Sequence, residues 1–168
     1  MVAKEKKEYK ERVTYKIPDV RFVYKNFAGR PDSFNPEGGK RTFGCKIVDE
    51  ELLNKLMDAG FKIKYLTNGD EPDIPYIKVK VNYGPYPPAI WLKSGKTKTK
   101  LDADSVKILD NADIIDAKLI ISPYEWEMPN GLKGVTAYCD ALYVTVVPNK
   151  FEEEFFADEE DVEEEIPF

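Results

Sequence analysis

Apolar and polar residues alternate with a period of two along most of the chain, which predicts a protein built mainly from β-strands. The first such run covers residues 12–27 and changes register at Pro18, so we expect one long, bent strand with an edge position or a bulge at the proline. Further strands are predicted over residues 42–48, 61–66, 74–83 and 90–93.

The clearest pair of strands covers residues 114–128 and 132–147. The sequence Pro129-Asn130-Gly131 between them is typical of a tight turn, so the two runs predict a β-hairpin. In the second arm, Val135, Ala137 and Cys139 fall on one face by alternation.

A single helix is predicted over residues 50–59. Asp49 precedes it as an N-cap, two glutamates occupy its first turn and Gly60 follows it as a stop signal. One short helix among six or seven strands with long polar loops predicts a mainly β fold: a small antiparallel β-barrel that is OB-fold-like, followed by a disordered acidic C-terminal tail. We therefore divide the chain into a flexible charged arm (1–11), an OB-fold-like nucleic-acid-binding domain (12–150) and an acidic protein-interaction tail (151–168).

The polar faces of the predicted strands combine aromatic and basic residues. Between 74 and 83, apolar residues alternate with Tyr76, Lys78 and Lys80, and the glycine-rich loop 28–41 carries basic residues around Phe34. Rings that stack on bases and lysines that neutralise phosphates are the usual means of binding single strands. The candidate stacking residues are Tyr24, Phe34, Tyr76, Tyr83, Tyr86, Trp91, Tyr124 and Trp126. The candidate phosphate-binding residues are Arg21, Lys25, Arg30, Lys40, Arg41, Lys78, Lys80, Lys93, Lys96, Lys98 and Lys100. For every aromatic residue a place in the core is the alternative, and the sequence leaves it open.

The formal net charge of −6 hides an uneven distribution. All 25 Lys and Arg residues and 21 of the 31 acids lie at or before Lys150, so the body carries +4 and the segment after it −10. A basic body joined to an acidic tail can attract a polyanion and also compete with it.

Several classes of function lack the residues they need. The chain has no histidine and only two cysteines, Cys45 and Cys139, far apart in sequence. This excludes the common zinc sites and histidine-based catalysis, and we expect no enzyme activity, metal or cofactor. Gly95-Lys96-Thr97 lacks the earlier glycine of a phosphate loop, since position 90 is isoleucine. The charged N-terminus is unlike a secretory signal and no apolar run reaches about 18 residues, so we expect a cytosolic protein without a membrane span.

The acidic segment ends on Ile166-Pro167-Phe168 behind three glutamates. An apolar tip, a free carboxylate and a row of acids suit a partner pocket that is apolar at its base and basic at its rim. The alternative is a solubility tail. This tip resembles the Asp-Asp-Asp-Ile-Pro-Phe end of bacterial single-stranded-DNA-binding proteins. The resemblance implies that the tip binds replication, recombination or repair proteins through Asp161, Glu163, Glu164, Glu165, Ile166, Pro167 and Phe168.

The final hairpin, from Asn111-Ala112-Asp113-Ile114 to Val144-Thr145-Val146-Val147, is similar to that of a group of phage-encoded single-stranded-DNA-binding proteins. That resemblance implies an OB-fold body that coats single-stranded DNA in phage replication, recombination or repair, inside the cytoplasm of a bacterial host. It also implies a tail that competes with DNA for the cleft. A homodimer is compatible with the sequence, which does not fix the oligomeric state.

Two other functions stay open at this stage. One is a decoy that captures host replication or repair enzymes through the tip and binds no DNA. The other is a carboxylate-metal nuclease that uses Asp102, Asp104 and Asp113, although these acids lie in a turn-like stretch.

Overall fold

A computed structural model of the chain describes residues 13–31 and 36–148, with only the backbone described at Asn68. The predicted arm (1–11), Phe34 and the acidic tail (151–168) lie outside the described residues. The elements of the described part, in chain order, are β1 (Tyr15–Ile17), β2 (Arg21–Asn26), β3 (Arg41–Lys46), α1 (Glu50–Asp58), β4 (Lys64–Asn68), β5 (Glu71–Val81), β6 (Ala89–Ser94), β7 (Thr97–Leu101), a 3₁₀ helix (Val106–Asp110), β8 (Ile114–Glu127) and β9 (Lys133–Val146).

The strands form one curled sheet in the order β1-β8-β9-β5-β3-β2, with β4 beside β5 and β6 beside both β7 and β9. The two ends of this path, β1 and β2, are consecutive in the chain and only three residues apart. Within that link, the Val20 backbone N–H donates to the Ala117 carbonyl at 3.0 Å. The long, bent first strand therefore pairs at one end with β8 and at the other with β3. The mainly β, OB-fold-like class predicted from the sequence is confirmed.

Most pairings are antiparallel, including the long β8–β9 hairpin that the sequence predicts. Strand β9 adds two parallel pairings, to β5 and to β6. Since both pairings join residues distant in sequence, β9 connects the C-terminal hairpin to the strands that precede it.

The core lies inside the curl. Phe27 and Phe43 are fully buried and stack with their ring centroids 5.1 Å apart, and Phe22 meets both rings edge-on. Helix α1 adds Leu56, which is fully buried. Its predicted N-cap is confirmed, because the Asp49 side chain accepts a hydrogen bond from the Leu52 backbone N–H at 3.3 Å.

One local prediction is wrong. The basic composition of residues 94–100 predicts a hairpin-like loop after the strand 90–93, but Thr97 to Lys100 belong to a strand, β7, which pairs with β6 in register. The turn is only Gly95-Lys96, with Gly95 at φ +59°. Threonines and lysines alternate here without an apolar face, so the hydrophobic pattern gives no strand signal.

Candidate nucleic-acid interface

A cleft of about 710 Å³ opens on the outer face of the sheet, across β3 and β5. Its lining combines aromatic rings with cations and backbone. The rings are those of Tyr24, Tyr76 and Tyr138, and the cations are Lys40, Arg41, Lys64, Lys78 and Lys80. Among the described residues, the sequence-predicted candidates that meet in this cleft are Tyr24, Tyr76, Lys40, Arg41, Lys78 and Lys80.

Alternation along β5 explains why these side chains share one face. Ile77 and Val79 are buried, so Tyr76, Lys78 and Lys80 point away from the core. The sequence predicts this division of β5, and the structure confirms it.

Gly44 makes room for the aromatic part of the cleft. Gly44 is in β3, opposite Lys78 of β5 on one side and Val23 of β2 on the other. A Cβ atom at this position would stand 2.6 Å from the Val23 Cγ2 and 3.1 Å from the Tyr76 Cδ2. The absence of a side chain at Gly44 therefore leaves the space in which the Tyr76 ring packs against the sheet.

Tyr24 reaches the cleft through a β-bulge. Val23 is opposite Gly44 and Asn26 is opposite Thr42, so β2 carries one extra residue in this interval. Tyr24 takes up the irregularity with φ +50°, and its side chain is 69% exposed. Its ring lies 5.8 Å from that of Tyr76, with the two planes tilted by 58°. A left-handed backbone at a bulky residue is strained, and here it presents a ring to solvent beside a second ring.

Tyr138 comes from the far end of the chain. The parallel pairing of β5 with β9 places it opposite Lys80. Its ring meets that of Tyr124 edge-on at 5.9 Å, which extends the aromatic surface from the cleft onto β8. Tyr124, a predicted stacking residue, thus borders the cleft through Tyr138.

The cleft crowds positive charges together. Burial is the main cause that lowers the pKa of Lys64 below its usual value, and the nearby Lys78 and Lys62 lower it further. Burial together with the neighbouring Tyr24 raises the pKa of Tyr76. A site that disfavours its own ammonium charge suits an anion, since a phosphate would relieve the repulsion.

Arg41 is held at the rim by two contacts. Its guanidinium donates to the Ala103 carbonyl at 3.0 Å and lies 5.4 Å from the centre of the Tyr83 ring. Its buried Nε has no hydrogen-bond partner in the part of the chain described. Tyr83 itself donates to the Leu101 carbonyl at 3.4 Å, and burial raises its pKa to about 12. Tyr83 therefore supports Arg41 from a half-buried position.

Some predicted phosphate-binding residues hold the fold next to the cleft. Lys25 donates to the Leu109 carbonyl at 2.9 Å. Arg30 lies 3.7 Å from the carboxylate of Asp110, a side chain only 2% exposed. Arg21 pairs with the exposed Asp19 at 3.5 Å. None of these three lines the cleft, and their contact with phosphate stays a prediction.

The remaining candidates lie on other parts of the surface. Tyr86 is 93% exposed in the loop between β5 and β6. Trp126 covers Gly134 and donates from Nε1 to the Thr136 hydroxyl at 3.1 Å. A third group sits on the β6–β7 hairpin: Trp91, Lys93, Lys96, Lys98 and Lys100.

One cation and one ring of the cleft, Lys64 and Tyr138, are not among the candidates that the sequence predicts. Alternation could have suggested Tyr138, because it lies between the buried Ala137 and Cys139 and must face outward. Nothing local predicts that β9 lies beside β5, so its arrival at the lysines of β5 was not foreseeable. Lys64 lay in a predicted strand whose outer face was not assigned.

Neither a metal site nor a membrane span is found within 13–31 and 36–148. No cluster of three or more histidine, cysteine, aspartate or glutamate side chains there could hold a metal ion. No helix of that part is long and apolar enough to cross a membrane.

Among solved structures, a phage single-stranded DNA-binding protein is similar to this chain in fold. The single-stranded DNA-binding protein of bacteriophage Enc34, in a C-terminally truncated form, superposes with a TM-score of 0.52 at 14% identity, over 79% of this chain and 85% of that one. The same phage protein in complex with ssDNA has a TM-score of 0.49 at 13% identity, over 78% of this chain and 85% of that one. The protein gp2.5 of bacteriophage T7, also a single-stranded DNA-binding protein, has a TM-score of 0.46 at 12% identity, over 94% of this chain and 100% of that one.

No curated protein matches the sequence. The family described as "Putative phage ssDNA-binding domain" matches residues 4–167. Because that match spans nearly the whole of the 168 residues, the chain belongs to this family of phage single-stranded-DNA-binding domains.

Proposed function

We propose that this protein binds single-stranded DNA in the cleft across β3 and β5, without strong sequence preference and without enzymatic activity. The observation that carries the proposal is the tyrosine pair Tyr24–Tyr76, 5.8 Å apart on a face that also carries Lys64, Lys78 and Lys80. Membership of the family supports it.

The two kinds of side chain do different work. Stacking of a base on an aromatic ring is worth ~1–3 kcal/mol and depends little on which base it is. Lysines beside the rings neutralise phosphates and release counterions, which makes the affinity fall with salt. Paired bases in a duplex keep their faces covered by their neighbours, so the rings of the cleft favour a single strand.

The role in the cell follows from the tail. We propose that the protein protects single-stranded DNA in phage replication, recombination or repair. Its acidic tip, Glu163 to Phe168, recruits partner enzymes, and the −10 charge of the tail competes with DNA for the basic body. The sequence of the tail supports this part of the proposal.

The test compares two pairs of lysines on the full-length protein. In K78A/K80A, two phosphate contacts of the cleft are removed. The salt slope, by which we mean the magnitude of the slope of log affinity for oligo-dT against log salt concentration, should decrease by ~1.4, at ~0.7 per lost contact. The control, K55A/K107A, removes two exposed lysines outside the cleft lining and should leave the slope unchanged. Equal slopes for both variants, or equal affinity for duplex and oligo-dT, would refute the proposal.

A further inference from the structure

A second aromatic and basic surface lies on the outer face of strands β8, β9, β6 and β7. The pairings align Lys118, Tyr143, Trp91 and Lys100 in one row across the four strands. A neighbouring row aligns Asp116, Thr145, Lys93 and Lys98. We call these eight residues the ladder. Four of them are lysines, one is acidic, and two large rings stand at the centre.

The ladder faces away from the core. Ile90, Leu142 and Val144 are fully buried, so Trp91 and Tyr143 between them point to the outer side. Lys100 and Lys118 are exposed at the two ends of their row, and Trp91 and Tyr143 are half-buried between them.

The ladder continues the surface that begins in the cleft. Tyr138 lines the cleft, and Tyr143 follows it on β9. A β-bulge between Cys139 and Ala141 keeps both side chains on the outward side, and their partners on β8, Ser122 and Lys118, are four residues apart. At ~3.3 Å per residue, the two positions are ~13 Å apart along the sheet. A stacked single strand advances ~3.4 Å per nucleotide, so the interval corresponds to about four nucleotides, or fewer in a stretched strand.

A purely structural explanation accounts for only part of this surface. Strand β7 pairs with β6 alone among the described strands, and lysines on an edge strand discourage pairing with other chains. That reason covers Lys98 and Lys100. It does not explain why Trp91 and Tyr143 stand side by side on the outer face between lysines of two different strands.

We propose that the ladder is a second contact surface for single-stranded DNA, which engages a strand long enough to run beyond the cleft. Trp91 and Tyr143 stack on bases, and Lys93, Lys98, Lys100 and Lys118 contact phosphates. This inference rests on the proposed function, because the strand enters the ladder from the cleft.

Fluorescence gives a direct readout, since the protein has two tryptophans, Trp91 and Trp126. In full-length protein carrying Trp126→Phe, the remaining signal comes from Trp91. Titration with oligo-dT from ~4 to ~16 nucleotides covers the range of site sizes of OB folds. The expected result is little quenching of Trp91 by the shortest oligonucleotides and clear quenching by the longest.

Salt dependence gives a second readout that does not need the tryptophan variant. K98A/K100A should lower the salt slope by ~1.4 for the longest oligonucleotide and leave it unchanged for the shortest. K78A/K80A should lower it at every length. K55A/K107A serves again as the matched control.

The outcomes separate the two proposals. If K78A/K80A changes binding but Trp91 is not quenched at any length and K98A/K100A behaves like the control, the ladder inference is wrong and the cleft stands. If no oligo-dT binds at all, the proposed function itself fails. Quenching of Trp91 by poly-glutamate but not by long oligo-dT also overturns the inference, because the ladder would then take an acidic polypeptide.

Discussion

The strained backbone at Tyr24 allows a test in which stability and binding respond differently to two substitutions. Tyr24→Gly and Tyr24→Ala remove the same ring from the cleft. They differ in the backbone, because only glycine adopts φ +50° without steric cost. The loss of ring contacts, modest for a side chain that is 69% exposed, is common to both and cancels in the comparison.

The magnitudes follow from these two terms. A left-handed conformation costs a residue with a Cβ about 1–2 kcal/mol, and the greater freedom of glycine in the unfolded chain returns about 0.5–1 kcal/mol of this. With the middle of each range, Tyr24→Gly should therefore be more stable than Tyr24→Ala by roughly 0.75 kcal/mol. For DNA binding, the loss of one stacking ring worth ~1–3 kcal/mol corresponds to a drop in affinity of about 5- to 150-fold, equal in both variants.

Urea unfolding measures the first quantity and anisotropy of labelled oligo-dT the second. Tyr65→Ala is the control, since Tyr65 is 51% exposed on β4, beside β5, but does not line the cleft. It should leave the affinity unchanged. Equal stability of the Gly and Ala variants would show that the bulge does not hold Tyr24 in the left-handed region. Wild-type affinity in both would show that the ring does not touch DNA.

Four further predictions concern the fold and the charges of the cleft. Asp110→Ala should lower the free energy of unfolding by ~2–4 kcal/mol, because the buried carboxylate accepts from two backbone N–H groups at 2.7 and 3.0 Å. Gly44→Ala should cost ~1–3 kcal/mol, because the new methyl group would stand 2.6 Å from the Val23 Cγ2, and it should weaken oligo-dT binding, because it would also stand 3.1 Å from the Tyr76 Cδ2 and displace that ring. Affinity should fall as pH rises through the lowered pKa of Lys64, since bound phosphate favours its ammonium form, and Lys64→Gln should flatten that part of the profile. Burial raises the pKa of Cys45 to about 12 and that of Cys139 still further, so neither thiol should react with a thiol reagent at pH 8 until the protein unfolds.

Each of these has an outcome that contradicts it. Asp104→Ala, at an exposed position, is the control for Asp110→Ala, and equal effects would show that the hydrogen bonds from the Phe27 and Ala28 backbone to Asp110 do not stabilise the fold. Unchanged binding by Gly44→Ala at unchanged stability would mean that the sheet tolerates the methyl group. A profile identical in wild type and Lys64→Gln at every pH below the ordinary pKa of lysine would exclude Lys64 as the titrating group. Thiol modification of the folded protein would show that one of the two sites opens to solvent.

The sequence predicts the elements of this fold better than the cleft that they form. Period-two alternation is set by local burial, so β5, the β8–β9 hairpin and the outward placement of Lys78 were predictable from neighbours in the chain. The N-cap of α1 is also a local signal. The strand at residues 97–100 was not predicted, because a strand without an apolar face has no hydrophobic period.

The cleft depends on contacts that no local pattern contains. Tyr138 reaches Lys80 only through the parallel pairing of β5 and β9. The exposure of Tyr24 depends on one extra residue in β2, since regular alternation puts Tyr24 on the same face as Phe22. Lys25 is a phosphate candidate by charge alone, and only the fold shows that its ammonium group donates to the Leu109 carbonyl.

The position of β9 in the chain has a consequence for synthesis. Strand β9 pairs with β5, β6 and β8, and it follows all three in sequence. A nascent chain therefore carries the lysines of β5 well before Tyr138 exists to complete the cleft beside them. Pairings between residues so far apart form slowly, because the loop between them must close first. A ribosome-bound or truncated chain without β9 would carry the lysines but not the assembled cleft. Only a fully synthesised domain should therefore bind DNA.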